Sequence, residues 1–402
     1  MSPAGTRSWR KILVVITEDW FALSHFVPLL TELRDLSGRV VVATRSSGRL
    51  DEIRALGVEV RALDMERGSL RPAAIAAARD ALVHLIDAEA PDAVHAVAMQ
   101  PMVMVSLALA RTYHQPAAVV FHLTGRGYLG YARSPLAIAV RTLAYAAIRR
   151  CTAQYRCWLV AENDDDLAEM LAARVATPGR TAVLPGAGID PARFPLLPPP
   201  SNRVPRLTFV GRMLTTKGVD VLVKAHQLLK VRGVAVELSL YGDADRGNRE
   251  AIPAATLARW GQLPGVTWHG RTTDVVGAWG VADIAVMTPV TGEGMPRAML
   301  EAAACGRPLV VSDVPGCRQL VRQDIEGLVV PPGNAKALAD ALARLIADRE
   351  LRLQAGAAAR RKLLREYTVA SVRAKVREIY QSIHRVLEEP PSQSVWSRQQ
   401  ET

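Results

Sequence analysis

None of the four cysteines, Cys151, Cys157, Cys305 and Cys317, stands at the spacing of a metal-ligand set or a disulfide framework. That usage fits a reducing cytosol. No apolar run reaches the ~20 residues that a membrane-spanning helix needs. The two longest, 97–110 and 136–148, stop short, and Arg141 interrupts the second. Residues 1–10 lead straight into a strand-like run without an apolar signal region, so no secretory leader is expected. The loop after that first strand, TEDWFALSHF (17–26), contains no glycine. It therefore lacks the GxGxxG turn of dinucleotide-binding folds, which argues against a nicotinamide-dependent oxidoreductase.

Acidic residues are missing from one long stretch. Between residues 93 and 161 there is no Asp or Glu, while Arg111, Arg126, Arg133, Arg141, Arg149, Arg150 and Arg156 all lie there. Basic residues set among apolar ones suit an anionic membrane surface or a lipid diphosphate. The bland alternative is the arginine usage of a generally Ala-, Arg- and Val-rich chain. Nucleic acid is not expected as a partner, because no binding module and no interleaved stacking aromatics accompany the arginines.

What is present is an ordinary globular composition, 49% hydrophobic and 22% charged over 402 residues, enough for two domains. Strand-like runs at 11–17, 39–44, 58–63, 92–97, 116–122 and 157–161 alternate with helical patterns. That alternation predicts a parallel sheet covered on both faces. The segment 195–205, with five prolines in eleven residues, precludes regular structure and reads as a linker. The alternation then restarts at 206–211, 236–242, 266–270, 282–288, 308–312 and 327–331. The expected architecture is two doubly wound α/β domains, 1–194 and 206–368, facing a cleft. A final helix, about 369–387, is expected to pack back on the first domain, followed by a disordered tail, 388–402.

Three segments carry chemistry. In GEGMPRAMLEAAACGRPLVV (292–311) a Gly-Glu-Gly turn follows a strand, Pro296 pre-sets the first helical turn, and Gly306 with Pro308 ends the helix. Glu293 is thus placed on a loop and Glu301 on the helix, with the amides of Gly294 and Met295 between them where an anion is favoured. A carboxylate on each side of an anion site suits a nucleotide sugar. The alternative is a loop glutamate plus a solvated helix glutamate. In TFVGRMLTTKG (208–218), Arg212 and Lys217 sit at the carboxyl end of a strand, one a forked donor and the other a point charge for phosphate. In FHLTGRGYLG (121–130), His122 ends a strand where it could reach the cleft, the alternative being a satisfied structural histidine, and Gly125 and Arg126 follow in a loop that allows close approach to a ligand. His25 and Glu18 are candidates for substrate contact from the glycine-free loop. The run AENDDDLAEM (161–170) reads as an acidic helix start rather than a metal site.

Arg212 and Lys217 in a GR…KG pattern, then Glu293 and Glu301 in E-x7-E within EGMPRAMLEAAACGRPLVVSDVPG, resemble glycosyltransferase family 4, retaining enzymes of the GT-B fold. The match runs on through GLVVPPGNAKALADAL (327–342) and covers the chain to about residue 385. The N-terminal segments 11–25, 124–128 and 183–194 resemble a bacterial subgroup that builds capsule and O-antigen glycans on polyprenyl-diphosphate carriers. The resemblance implies a hexosyltransferase that takes a nucleotide sugar, UDP being the commoner carrier, and needs no metal or other cofactor. It implies that Arg212 and Lys217 bind the diphosphate, that Glu301 holds the ribose, and that Glu293 with the amides of Gly294 and Met295 contacts the sugar. His122 takes the place of a histidine that touches the sugar near its reacting carbon. The implied partners are a polyprenyl-diphosphate-linked glycan and the inner face of the cytoplasmic membrane. A nucleotide-sugar 2-epimerase and a non-catalytic scaffold on the same fold remain as alternatives.

Overall fold

The computed structural model describes residues 9–245, 248 and 250–389, with the backbone alone at Tyr128 and Leu129. Residues 390–402, which hold most of the expected tail, lie outside the described residues, as do residues 1–8.

The first sheet contains β1 (Trp9–Glu18), β2 (Ser37–Arg45), β3 (Glu59–Ala62), β4 (Ala93–Val97), β5 (Ala118–Leu123), β6 (Cys157–Ala161) and β7 (Thr181–Val183), all parallel in the order β3-β2-β1-β4-β5-β6-β7. The central run Ile12–Ile16 is entirely buried. Alternate residues serve opposite faces: Leu13 and Val15 join the core on one side, and Ile12, Val14 and Ile16 the core on the other. This is why a parallel strand covered twice reads as one continuous apolar run.

The second sheet contains β8 (Arg206–Val210), β9 (Glu237–Tyr241), β10 (Val266–Gly270), β11 (Ile284–Met287), β12 (Leu309–Ser312) and β13 (Gly327–Val330), in the order β10-β9-β8-β11-β12-β13. In both sheets the order reverses beside the first strand. Loops that leave the carboxyl ends of β8 and β11 therefore set out toward opposite faces, the place where open α/β sheets form a ligand crevice.

The chain crosses between the sheets twice. Residues 195–205 carry no helix or strand, and Leu197 N–H and the Arg307 guanidinium tie them to the second domain. The return lies at Tyr367–Val369, where Ile189 exchanges backbone hydrogen bonds with Tyr367 and Val369. The last helix, Val369–Glu388, then lies against the first domain. Its Val372, Val376, Ile379, Tyr380 and Ile383 are buried there, with the Tyr380 ring edge-on to Trp9 at 5.8 Å. Arg373 and Arg377 fasten it to the fully buried carboxylate of Glu32 at 2.8 and 2.6 Å.

Candidate active site

The loop after β8 is pressed onto the end of β11. A short 3-10 turn, Thr215–Lys217, ends at Gly218, whose φ is +67°. A Cβ at Gly218 would fall 1.8 Å from the Thr288 carbonyl, so only glycine lets the two loops meet. Thr288 Oγ1 donates to the Gly218 carbonyl, and Val290 N–H to that of Thr216. The outcome is a contact between two distant sequence segments: Lys217 Nζ stands 2.6 Å from Glu293 Oε2. Arg212, at the end of β8, pairs with Asp245 at 3.0 Å.

Past Glu293 the backbone turns into the Arg297–Ala304 helix. Pro296 is its N-cap in an extended conformation, one position earlier than the sequence pattern predicts. Glu301 is buried on this helix, and burial raises its pKa although Arg297, 2.8 Å away, opposes the shift. The Arg297 guanidinium also donates to the Ser24 carbonyl of the first domain. The glycine-free loop is not all loop: Asp19–His25 forms a short helix, with His25 in its last turn.

His25 reports where these cations point. Its pKa is pushed down to about 3, first by burial and then by Arg297, Lys217 and Arg212 together. Ser24 Oγ and His25 Nδ1 are 2.7 Å apart. Arg67 of the first domain sits near the same cluster, its pKa lowered by burial and by Arg212. Its guanidinium lies 5.7 Å from the centre of the Trp20 ring. A neutral imidazole thus faces three cations of the second domain, with Arg67 of the first domain beside one of them, Arg212. Arg212, Lys217 and Arg297 each hold a carboxylate of the second domain. The arrangement is suited to a multiply charged anion that takes over those cations and releases the carboxylates.

The Gly-Glu-Gly turn is clamped by the first domain. A Cβ at Gly294 would lie 2.0 Å from Glu162 Oε2 and 2.6 Å from the Thr124 carbonyl, and one at Gly125 would lie 2.7 Å from the Gly294 nitrogen. Met295 N–H donates to Glu162 Oε2 at 2.8 Å. This corrects the expectation that the Met295 amide faces an anion, since a buried carboxyl of the other domain already holds it. Burial, with help from Asp166 and Glu293, pushes the Glu162 pKa up to about 8, against the pull of the Met295 amide.

Two further expectations change. Arg126 does not turn toward the crevice: it pairs with the buried Asp166 at 2.9 Å and with Glu169, and its ring neighbour is Tyr131 at 4.3 Å. It braces the loop that carries Gly125. His122 is only 1% exposed. Its Nδ1 lies 3.3 Å from His95 Nε2, and His95 Nδ1 lies 2.8 Å from the Tyr380 hydroxyl. Phe26 packs edge-on against the ring at 5.4 Å, and burial lowers the pKa to about 4. His122 therefore sits in the interior behind the wall of the crevice.

Arg297, Arg67 and Glu162 belong to the site and were not read from the sequence. Arg297 has a usable signal, the four-residue spacing to Glu301 on one helix face. Glu162 ends a strand at the ligand edge of its sheet, but the acidic run after it reads as a helix start. Asn163 does serve as that helix's N-cap.

Comparison with known proteins agrees with this layout. Residues 204–348 match the family model described as glycosyl transferases group 1, and residues 24–193 match that of Glycosyltransferase Family 4. The amylovoran biosynthesis glycosyltransferase AmsK of Erwinia amylovora is 31% identical over 39% of this chain and 40% of its own length. A Campylobacter jejuni relative, N,N'-diacetylbacillosaminyl-diphospho-undecaprenol alpha-1,3-N-acetylgalactosaminyltransferase, is 30% identical over 38% of each chain. The matched region thus spans about 40% of the length of these curated relatives. Among solved structures, HepE of Anabaena in complex with UDP and glucose superposes with a TM-score of 0.73 at 18% identity, covering 93% of this chain and all of that one. The fold is GT-B.

Proposed function

The chain carries two glycosyltransferase-family domains on a GT-B frame, and from that premise we propose that it transfers a hexose, with retained anomeric configuration, from a nucleoside diphosphate, UDP for preference, to a saccharide on a polyprenyl-diphosphate carrier. The observation that carries this reading is the convergence of Arg212, Lys217 and Arg297 on His25, with Asp245, Glu293 and Glu301 as their respective counter-ions. The named activity of the Campylobacter relative, on an undecaprenol-diphosphate glycan, supports the class of acceptor. In this reading the protein works at the inner face of the cytoplasmic membrane, in building a cell-surface polysaccharide.

On this reading the donor diphosphate displaces Glu293 from Lys217 and enters the field of Arg212 and Arg297. Glu293, released, accepts hydrogen bonds from hydroxyls of the transferred sugar, and Glu301 accepts those of the ribose. The bond from the anomeric carbon to the phosphate oxygen breaks, and the acceptor oxygen bonds to that carbon on the same face. The acceptor's proton passes to an oxygen of the departing phosphate. Stabilising that phosphate is the main catalytic task, and the three cations perform it without a metal. His25, kept neutral, adds no charge and fills space beside the phosphates. The contact of the Gly125 and Gly294 loops excludes water, the competing acceptor.

The test is incubation with a panel of nucleotide sugars and defined polyprenyl-diphosphate glycans, with products identified by mass spectrometry. An acceptor one hexose longer is expected. Release of free sugar and nucleotide with no elongated lipid would instead favour the epimerase-like alternative and refute this reading.

A further inference from the structure

The Pro135–Gln154 helix presents an unusual outer face. Leu136, Ile138 and Leu143 are 68%, 43% and 70% exposed, while Ala137, Ile148 and Cys151 point inward. Leu136, Ala139, Leu143, Ala146 and Arg150 are all exposed and recur at intervals of three and four, so they form a single stripe along the helix. The apolar part fills the first half of the stripe. Arg149 and Arg150 lie exposed at the far end, and Arg133 is exposed just before the helix begins. No acidic residue occurs anywhere in the helix or its flanks from residue 93 to residue 161. At ~1.5 Å per residue the helix is about 30 Å long, long enough for a substantial contact.

The helix is also tied to the crevice. Ser134 caps its N-terminus, and Arg141 reaches back to the carbonyls of Gly130 and Ala132. The loop so held contains Arg126, with its carboxylate partners, and Gly125, which abuts Gly294. A connection of about ten residues thus separates the exposed face from Gly125, which abuts the turn that bears Glu293.

We propose that this helix face is the protein's membrane-contact surface: Leu136 and Leu143 enter the headgroup boundary of an anionic bilayer, and Arg133 and Arg150 meet its phosphates. The occupant is a bilayer rather than a protein because the stripe combines exposed aliphatic side chains with cations, on a helix that carries no acid of its own. A helix lying in the interface gains from both apolar burial and attraction to anionic lipid. The proposal rests on the transfer to a lipid-linked acceptor only for its purpose, since the face would hold the crevice at the depth of a carrier's diphosphate. Binding itself is measured without turnover.

The experiment is co-sedimentation of the full chain with vesicles of phosphatidylcholine alone and of phosphatidylcholine with phosphatidylglycerol. The wild type should partition onto the anionic vesicles and largely remain in solution with the neutral ones. A Leu136→Ser/Leu143→Ser variant should lose about tenfold or more of that partitioning. An Arg133→Gln/Arg150→Gln variant should lose about tenfold on anionic vesicles in low salt and little in high salt. All four side chains are exposed, so the melting temperature should not move, and transfer to a short, water-soluble diphosphate glycan should be unchanged in the leucine variant. Unaltered partitioning of that variant overturns the proposal. So does a wild type that ignores vesicles but self-associates through these leucines, which would assign the face to a second copy. Absence of any sugar transfer would refute the proposed reaction yet leave the vesicle result intact.

Discussion

Lys217 Nζ stands 2.6 Å from Glu293 Oε2, so the phosphate-binding cation and the sugar-binding carboxylate proposed for this site hold each other. The pair joins the two loops that diverge at the reversal of the second sheet. In the proposed reaction a diphosphate would compete with Glu293 for the ammonium and, in winning, free the carboxylate beside the position proposed for the sugar. Donor binding and preparation of the sugar site would thereby become one event.

Replacing Glu293 by Gln tests this coupling. The change removes the competing charge but keeps the shape. Binding of nucleoside diphosphate, measured by calorimetry, should stay the same or tighten. Sugar transfer should fall by about 10²–10³ in kcat, the cost typical of losing a positioned transition-state contact. Full activity in this variant would refute the role given to Glu293.

Arg297 is expected to matter in two ways, through Glu301 and through the Ser24 carbonyl. Arg297→Ala should weaken donor binding about tenfold or more and leave Glu301 buried without its partner. A double-mutant cycle with Glu301→Gln measures the coupling, which should be well outside additivity. Additive effects on donor affinity would mean the two side chains act separately.

Glu162 gives a pH dependence whose sign is fixed. Its pKa is about 8 in the folded protein, against ~4.3 for an unperturbed glutamate. Across that window the folded state holds a proton that the unfolded state has released. Its contribution to stability must therefore fall as pH rises from about 4.3 to about 8 and level off above. Glu162→Gln can still accept from Met295 N–H but has no proton to lose. Its melting temperature relative to wild type should climb over that range, as read by thermal unfolding at closely spaced pH values. His25 acts in the opposite sense, since its pKa of about 3 lies below the usual ~6.5. Its contribution is lost as pH falls from about 6.5 toward 3, and it is unchanged in the comparison.

Gly294→Ala should separate closure from folding. The new methyl would collide with Glu162 Oε2 and the Thr124 carbonyl, both in the other domain. Either the domains move apart or the turn bearing Glu293 shifts. We expect transfer to drop about a hundredfold while each domain keeps its helix content by circular dichroism. Small-angle scattering should show a less compact particle. A wild-type scattering curve with wild-type turnover would count against the clamp.

The sheets were legible because covered parallel strands are continuous apolar runs bounded by glycine, proline and helix. Thr181–Val183 escaped that reading, being three half-buried residues at a sheet edge with no run to detect. In the candidate site, Arg212, Lys217, Glu293 and Glu301 stood out because each lies at a strand end or on the first turns of a helix in the second domain. What escaped was the contribution made across the crevice. Nothing local marks Arg67 as a neighbour of Arg212, or Glu162 as the partner of a backbone amide more than a hundred residues away. Arg126 and His122 looked like ligand residues for their position alone. The structure gives one of them two carboxylates and the other a buried histidine–tyrosine chain.

The helix Val369–Glu388 has a consequence for how the protein is made. It completes one face of the first domain's core, beside Trp9, and its Tyr380 reaches His95 in the middle of β4. A ribosome builds the chain from the other end. The first sheet must therefore wait, with that apolar face uncovered, until residues 372–383 have emerged, so residues 9–194 cannot complete their core as an independent nascent unit. The second domain, whose sheet and core close within residues 189–367, has no such delay. Maturation should then run against the direction of synthesis, with the domain translated first being the last to become native.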